Sequence, residues 1–143
     1  MKKVAIIVLF IFCSCKSEVA EKDLNFLNGY WEIEEVIFTD GSSKEYGVNT
    51  SVDFIKIENK KGFRKKVQPK LDGTFNTTND TDIIVITDNK GRFSINYTNN
   101  INEGVVDQRS ELLVALSENN YSVRNLDGIT YHYKRFQPFN ILK

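Results

Sequence analysis

Few side chains in this 143-residue sequence have the types and spacing that chemistry at a site demands. His132 is the single histidine, and in the run from Ile129 to Phe136 it alternates against Tyr131 and Tyr133, so it reads as an outer-face residue without a role. Cys13 and Cys15 are the two thiols, and with no further sulfur and no second imidazole they complete no metal or redox site. Asp80 and Asp82 share a loop without a calcium-binding pattern, and neither a glycine-rich phosphate loop nor a nucleophile motif is present. The expectation is a non-enzyme with no metal and no cofactor. What remains is binding chemistry: Tyr97, Tyr121, Tyr131 and Tyr133, with Phe54 and Phe93, are candidates to line an interior where phenol hydroxyls orient a ligand between apolar walls. In a small barrel the same rings serve equally well to fill the core.

Strands must present these residues. From Tyr30 to Phe38, Trp31, Ile33, Glu35 and Ile37 share one face, and three apolar residues of four make it the inner one. Glu35 is then the odd inward residue: in the interior it needs a cation or a hydrogen-bond partner and is a candidate ligand contact, whereas a bulge would turn it outward. Further strands are predicted over 51–58, 63–71, 81–87, 92–97, 111–116, 121–125 and 129–136, with a short piece around Phe75 and an uncertain continuation over 105–110. Turn signals separate them at Asp40-Gly41, Asn59 to Gly62, Asp72-Gly73, Asp88 to Gly91, Ser117 to Asn120 and Leu126 to Gly128. Pro69 ends or edges the third strand, because it cannot donate a ladder hydrogen bond. Asp23 to Asn28 is expected to form one helical turn, with Leu24 and Leu27 plugging one end of the strand domain. Eight strands, or nine with the Phe75 piece, joined by short loops indicate an antiparallel meander that removes its edges by closing into an up-and-down β-barrel.

Composition agrees with one such domain: 41% of residues are hydrophobic and 12% aromatic. The 19 basic and 19 acidic residues balance, which excludes the strong basic excess of a nucleic-acid binder. Lys60, Lys61, Arg64, Lys65, Lys66 and Lys70 cluster around one hairpin. They read either as a solvated hairpin or as a surface for acidic headgroups, glycans or another protein.

The N-terminus reads as an address. Lys2-Lys3 followed by the apolar run Val4 to Phe12 has the charged and hydrophobic regions of a secretory signal, too short for a stable span of roughly 20 apolar residues. Phe12-Cys13-Ser14-Cys15-Lys16 resembles the lipobox of bacterial lipoproteins, in which a small residue precedes the acylated cysteine. That resemblance makes Cys15 the lipidation site and gives three segments: a signal peptide over 1–14, the lipidated cysteine with a flexible tether over 15–26, and the barrel domain over 27–143. Removal of the first fourteen residues leaves 17 basic against 19 acidic residues, a charge of −2.

Asn28-Gly29-Tyr30-Trp31 resembles the Gly-x-Trp opening of lipocalins, and Arg135 matches the arginine that packs on that tryptophan at the end of the last strand. With a lipoprotein signal ahead of it, the chain resembles the lipocalin-like lipoproteins of the Bacteroidota over roughly 27–136. The resemblance implies a lipocalin-like barrel in which Trp31 and Arg135 close the sheet, tethered through its lipid to the outer membrane and facing the periplasm or the exterior. It implies a monomer that holds a small hydrophobic or amphipathic ligand; the alternative is a filled barrel that displays its loops to a protein or glycan.

Overall fold

The computed structural model describes residues 18–98 and 106–138. Cys15 and the segment 1–14 lie outside the described residues. The chain begins with a 3₁₀ helix, Glu21–Leu27, followed by β1 (Gly29–Ile37), β2 (Ser43–Glu45), β3 (Val52–Glu58), β4 (Lys61–Pro69), β5 (Phe75–Asn89), β6 (Arg92–Thr98), β7 (Val106–Leu116), β8 (Asn120–Asn125) and β9 (Thr130–Arg135). The last six residues assigned to the tether, 21–26, are therefore part of the helix.

Every pairing is antiparallel, and β1 and β3 to β9 follow one another around a ring that β1 and β9 close. This is the all-β, closed barrel of eight strands, with β2 as a ninth strand added to the far half of β1 through Glu35–Glu45, Val36–Lys44 and Ile37–Ser43. The short piece around Phe75 is not separate: it is the start of a 15-residue β5 whose first half is exposed. Of the uncertain stretch 105–110, residues 106–110 join 111–116 as β7, and 105 lies outside the described residues. β4 stops at Pro69, where the missing amide would end the ladder.

Turn chemistry sets the register that decides which residues face inward. Asn59 and Lys60 both adopt positive φ, 50° and 63°, the pair of left-handed residues that a two-residue hairpin turn matched to strand twist needs. The turn pairs Ile57 with Gly62 and Ile55 with Arg64. A side chain at Gly62 would collide with the Lys56 carbonyl, so the hairpin depends on glycine there. Alternation then sends Asp53, Ile55 and Ile57 of β3, and Gly62, Arg64 and Lys66 of β4, to the interior.

One end of the barrel is plugged. Leu24 and Leu27 of the helix are buried among Trp31, Ile57, Phe93 and Tyr121, and the Trp31 Nε1–H donates to the Leu27 carbonyl at 2.8 Å. Tyr121 meets Trp31 edge-on at 4.7 Å and stacks on Tyr133 at 4.6 Å. The Arg135 guanidinium lies 3.8 Å from the Trp31 ring and donates to the carbonyls of Asn28 (2.6 Å), Phe26 (2.8 Å) and Glu118 (2.7 and 2.9 Å). It thus joins helix, first strand and the β7–β8 turn, and a cation over an indole adds about 0.5 to 2 kcal/mol. Gly29, at φ 123°, makes room for it: a Cβ there would sit 2.5 Å from Arg135 Nη1.

Two sequence-based assignments of face are corrected. β1 carries a bulge against β9 between Ile33 and Glu35, so the inner face runs Trp31, Ile33, Val36, and Glu35 and Ile37 turn outward. Glu35 pairs with His132 on the outer face; one extra residue spares the barrel an uncompensated interior carboxylate. Phe54 is also outward, because its neighbours Asp53 and Ile55 face in. It packs with Tyr30 at 4.7 Å, in an outer cluster where Tyr30 stacks on Phe75 at 4.2 Å over buried Val52, Val67 and Phe136.

Candidate functional site at the barrel mouth

The interior divides into two halves. Toward the plug, Trp31, Ile55, Ile84, Tyr121 and Val123 are fully buried and fill the barrel. Toward the other end the inward positions become polar: Asp53 on β3, Arg64 on β4, Asp82 on β5, Tyr97 on β6, Arg109 and Glu111 on β7, and Tyr131 and Tyr133 on β9.

Arg64 is the centre of this layer. Its Nη2 donates to Asp53 Oδ2 at 2.8 Å and to the Tyr133 hydroxyl at 3.0 Å, and its Nη1 donates to the Tyr97 hydroxyl at 2.7 Å. Tyr97 passes its own proton on, donating to Glu111 Oε2 at 2.7 Å, and that carboxylate lies 3.7 Å from the guanidinium. Lys66 Nζ reaches Asp53 Oδ1 at 3.3 Å. Burial alone would raise the Asp53 pKa, but Arg64 and then Lys66 more than offset it and hold the carboxyl below its ordinary value. Burial raises the phenols of Tyr97, Tyr121 and Tyr133, which keeps them protonated and able to donate. The Tyr121 hydroxyl is buried with no hydrogen-bond partner among the described residues.

Above the layer lies a pocket of about 340 Å³. Its lining includes Asp53, Arg64, Lys66, Asp82, Tyr97, Arg109, Glu111 and Tyr131. At its rim Arg109 Nη2 pairs with Asp82 Oδ2 at 2.7 Å, and the Arg109 guanidinium lies 3.8 Å from the Tyr97 ring. The loops at this end, 38–42, 46–51, 70–74 and 126–129, carry exposed Phe38, Val48, Leu71 and Leu126.

Of the residues proposed from sequence, Tyr97 and Tyr131 line the pocket, and Tyr133 reaches it through Arg64. Phe93 and Tyr121 belong to the filled core, and Glu35 and Phe54 are outside the barrel. Trp31 and Arg135 meet at the seam. His132, on the outer face, shares a 2.6 Å hydrogen bond with Ser122 Oγ. Among the described residues no cluster of three His, Cys, Asp or Glu side chains is arranged to hold a metal ion.

Sequence reasoning missed the charged members. Arg64 falls in the basic hairpin that reads as a solvated face or a docking surface, yet that hairpin distributes its charges: Lys60 pairs with Glu21 of the plug helix at 2.8 Å, while Arg64 and Lys66 turn inward. The available signal was phase. It was a weak one: Asp53 shares the parity of Ile55 and Ile57 and Glu111 that of Leu113, but Val52 and Phe54 mark the opposite face of β3 equally and Leu112, Val114 and Leu116 the opposite face of β7.

No family model matches the chain, and no curated protein matches it. Among solved structures it is similar to a lipocalin-like protein from Bacteroides uniformis, with 17% identity and a TM-score of 0.46 over 78% of this chain and 99% of that one.

Proposed function

We propose that this chain is an outer-membrane lipoprotein, anchored through Cys15, whose barrel holds a small amphipathic molecule in the mouth pocket with its polar group inward. One observation carries the binding part: a buried guanidinium, fixed by Asp53, Tyr97 and Tyr133, forms the floor of a cavity of about 340 Å³. Polar groups held rigid at the base of a concave site orient a ligand at little cost in ordering. The filled plug half leaves an apolar tail no room below Arg64, so the tail points toward the mouth, whose loops expose Val48, Leu71 and Leu126. The anchor rests on the lipobox-like residues before Lys16. On this reading the protein is a monomer without cofactor or enzymatic activity, facing the periplasm or the exterior.

Native mass spectrometry with solvent extraction on the full chain, purified from a bacterial envelope, tests the carrier reading. A stoichiometric molecule retained by the wild type, and lost from Arg64→Met under conditions where the buried Trp31 fluorescence shows that variant still folded, supports it. Clean apo protein that also ignores a panel of fatty acids, lipids and isoprenoids removes it. The second reading, a structural or interaction lipoprotein that displays its loops to a protein or glycan, is favoured by the fully packed plug half, and that outcome would leave it standing.

A further inference from the structure

We infer that the polar group accepted by the mouth pocket is a zwitterion, an ammonium and an anion a few ångströms apart; this rests on the carrier reading above. The walls carry charges of both signs in balance, four cations and four acids, with Arg64 on Asp53 at 2.8 Å, Lys66 on the same carboxylate at 3.3 Å, and Arg109 on Asp82 at 2.7 Å. A ligand of one charge that enters such a site takes one partner and strands the other in a narrowed, partly desolvated space. An uncharged apolar ligand strips water from the pairs and returns nothing. A zwitterion leaves no charge unpartnered.

The pairs differ in how readily they exchange. The Arg64 and Asp53 side chains are only 14% and 7% exposed, and the guanidinium is further held by two phenols. Arg109 and Asp82 are 47% and 45% exposed and meet by a single contact across the pocket rim. The inner pair is therefore framework, and the rim pair is the one a ligand can open. Arg109 remains fixed over the Tyr97 ring at 3.8 Å while its Asp82 contact is replaced by the ligand's anion. Asp82 then receives the ammonium, with Asp80 also in the lining. A volume of about 340 Å³ lies at the small end of ligand pockets, the size of a free metabolite or a lipid headgroup.

Titration calorimetry on the full chain in non-ionic detergent tests this, with glycerophosphoethanolamine and lysophosphatidylethanolamine as zwitterions, laurate as an anion and dodecylamine as a cation. The expected result is binding of at least one zwitterion about tenfold or more tighter than either singly charged probe. Arg109→Gln and Asp82→Asn should each weaken it by about tenfold or more, the loss of one charge-assisted bond. Equal binding of the two zwitterions identifies a free molecule as the source, and binding of the lysolipid alone identifies an aminolipid head. Laurate or dodecylamine binding as tightly as the zwitterions, or indifference to both substitutions, overturns the inference while leaving the carrier reading in place. No binding of any probe overturns the zwitterion, and the extraction experiment above then decides the carrier reading separately. Both positions are half-exposed, so melting curves of the two variants should superimpose within a few degrees on the wild type and exclude unfolding as the cause.

Discussion

Arg64→Met removes the cation at the centre of the polar layer while keeping a flexible apolar stem in its place. Asp53, only 5% exposed, is then left with Lys66, whose side chain is 66% exposed and whose ammonium is 3.3 Å away. Tyr97 and Tyr133 each lose the donor that satisfied their hydroxyl oxygen. Breaking a buried pair from one side costs about 3 to 5 kcal/mol, because a charge remains without its counterion. At roughly 4 °C per kcal/mol for a domain of this size, the melting temperature should fall by about 12 to 20 °C. Trp31, the single tryptophan and fully buried, reports unfolding by its fluorescence. Adding Asp53→Asn to Arg64→Met removes the stranded carboxylate and should recover about 2 kcal/mol or more, so the double variant is more stable than the single. A loss below about 1 kcal/mol in Arg64→Met, or a double variant no better than the single, would refute the view that these two charges compensate one another.

Acid should act through the same pair. The Asp53 pKa is depressed by Arg64 and Lys66 against the opposing effect of burial, so its contribution is complete above the ordinary carboxylate range near pH 4 and disappears as pH falls through the lower folded value. The stability gap between wild type and Arg64→Met, read by urea titration at a series of pH values, should therefore be widest above about pH 4 and narrow as the pH falls and Asp53 is protonated. Arg135→Lys keeps the charge but loses the fork to Asn28, Phe26 and Glu118; urea titration should show a loss of about 1 to 3 kcal/mol, with red-shifted Trp31 emission. Gly29→Ala puts a Cβ against Arg135 Nη1 at a φ that side chains rarely adopt, and should cost about 1 to 3 kcal/mol in the same assay. Cys15→Ala should move the full chain from the membrane to the soluble fraction, and a variant that stays lipidated would exclude Cys15 as the modified residue.

The plugged end was legible because its signals are local or come from closure. Leu24 and Leu27 are three apart on one helical turn, Asn59 and Lys60 occupy a two-residue turn, and Pro69 stops β4. Trp31 and Arg135, at opposite ends of the barrel sequence, meet because the first and last strands pair. β2 gave no such signal: Ser43, Lys44 and Glu45 are all exposed, and pairing with the far half of β1 alone makes them a strand. The polar first half of β5 hid its strand for the same reason, since neither face of it is buried and no alternation is imposed.

The mouth was less legible because an apolar majority is a sound guide to the inner face only where the interior is apolar. On β1 that rule put Glu35 inside, and one bulge reversed it without altering the composition of the strand. On β3 the tie between Val52, Phe54 and Asp53, Ile55, Ile57 was broken by partners elsewhere in the chain. The turn at Asn59-Lys60 sets Arg64 in phase with Ile55, and Asp53 faces inward within 2.8 Å of it, while Phe54 finds Tyr30 on the outside. A carboxylate and a guanidinium that each looked like surface residues are stable inside because each is the other's counterion. The exclusion of Glu35 and the retention of Asp53 follow from one rule: the barrel holds a charge only where a neighbouring strand supplies its complement. At its rim that rule leaves one pair, Arg109 and Asp82, that solvent already half reaches, which is where a ligand carrying both signs has least to displace.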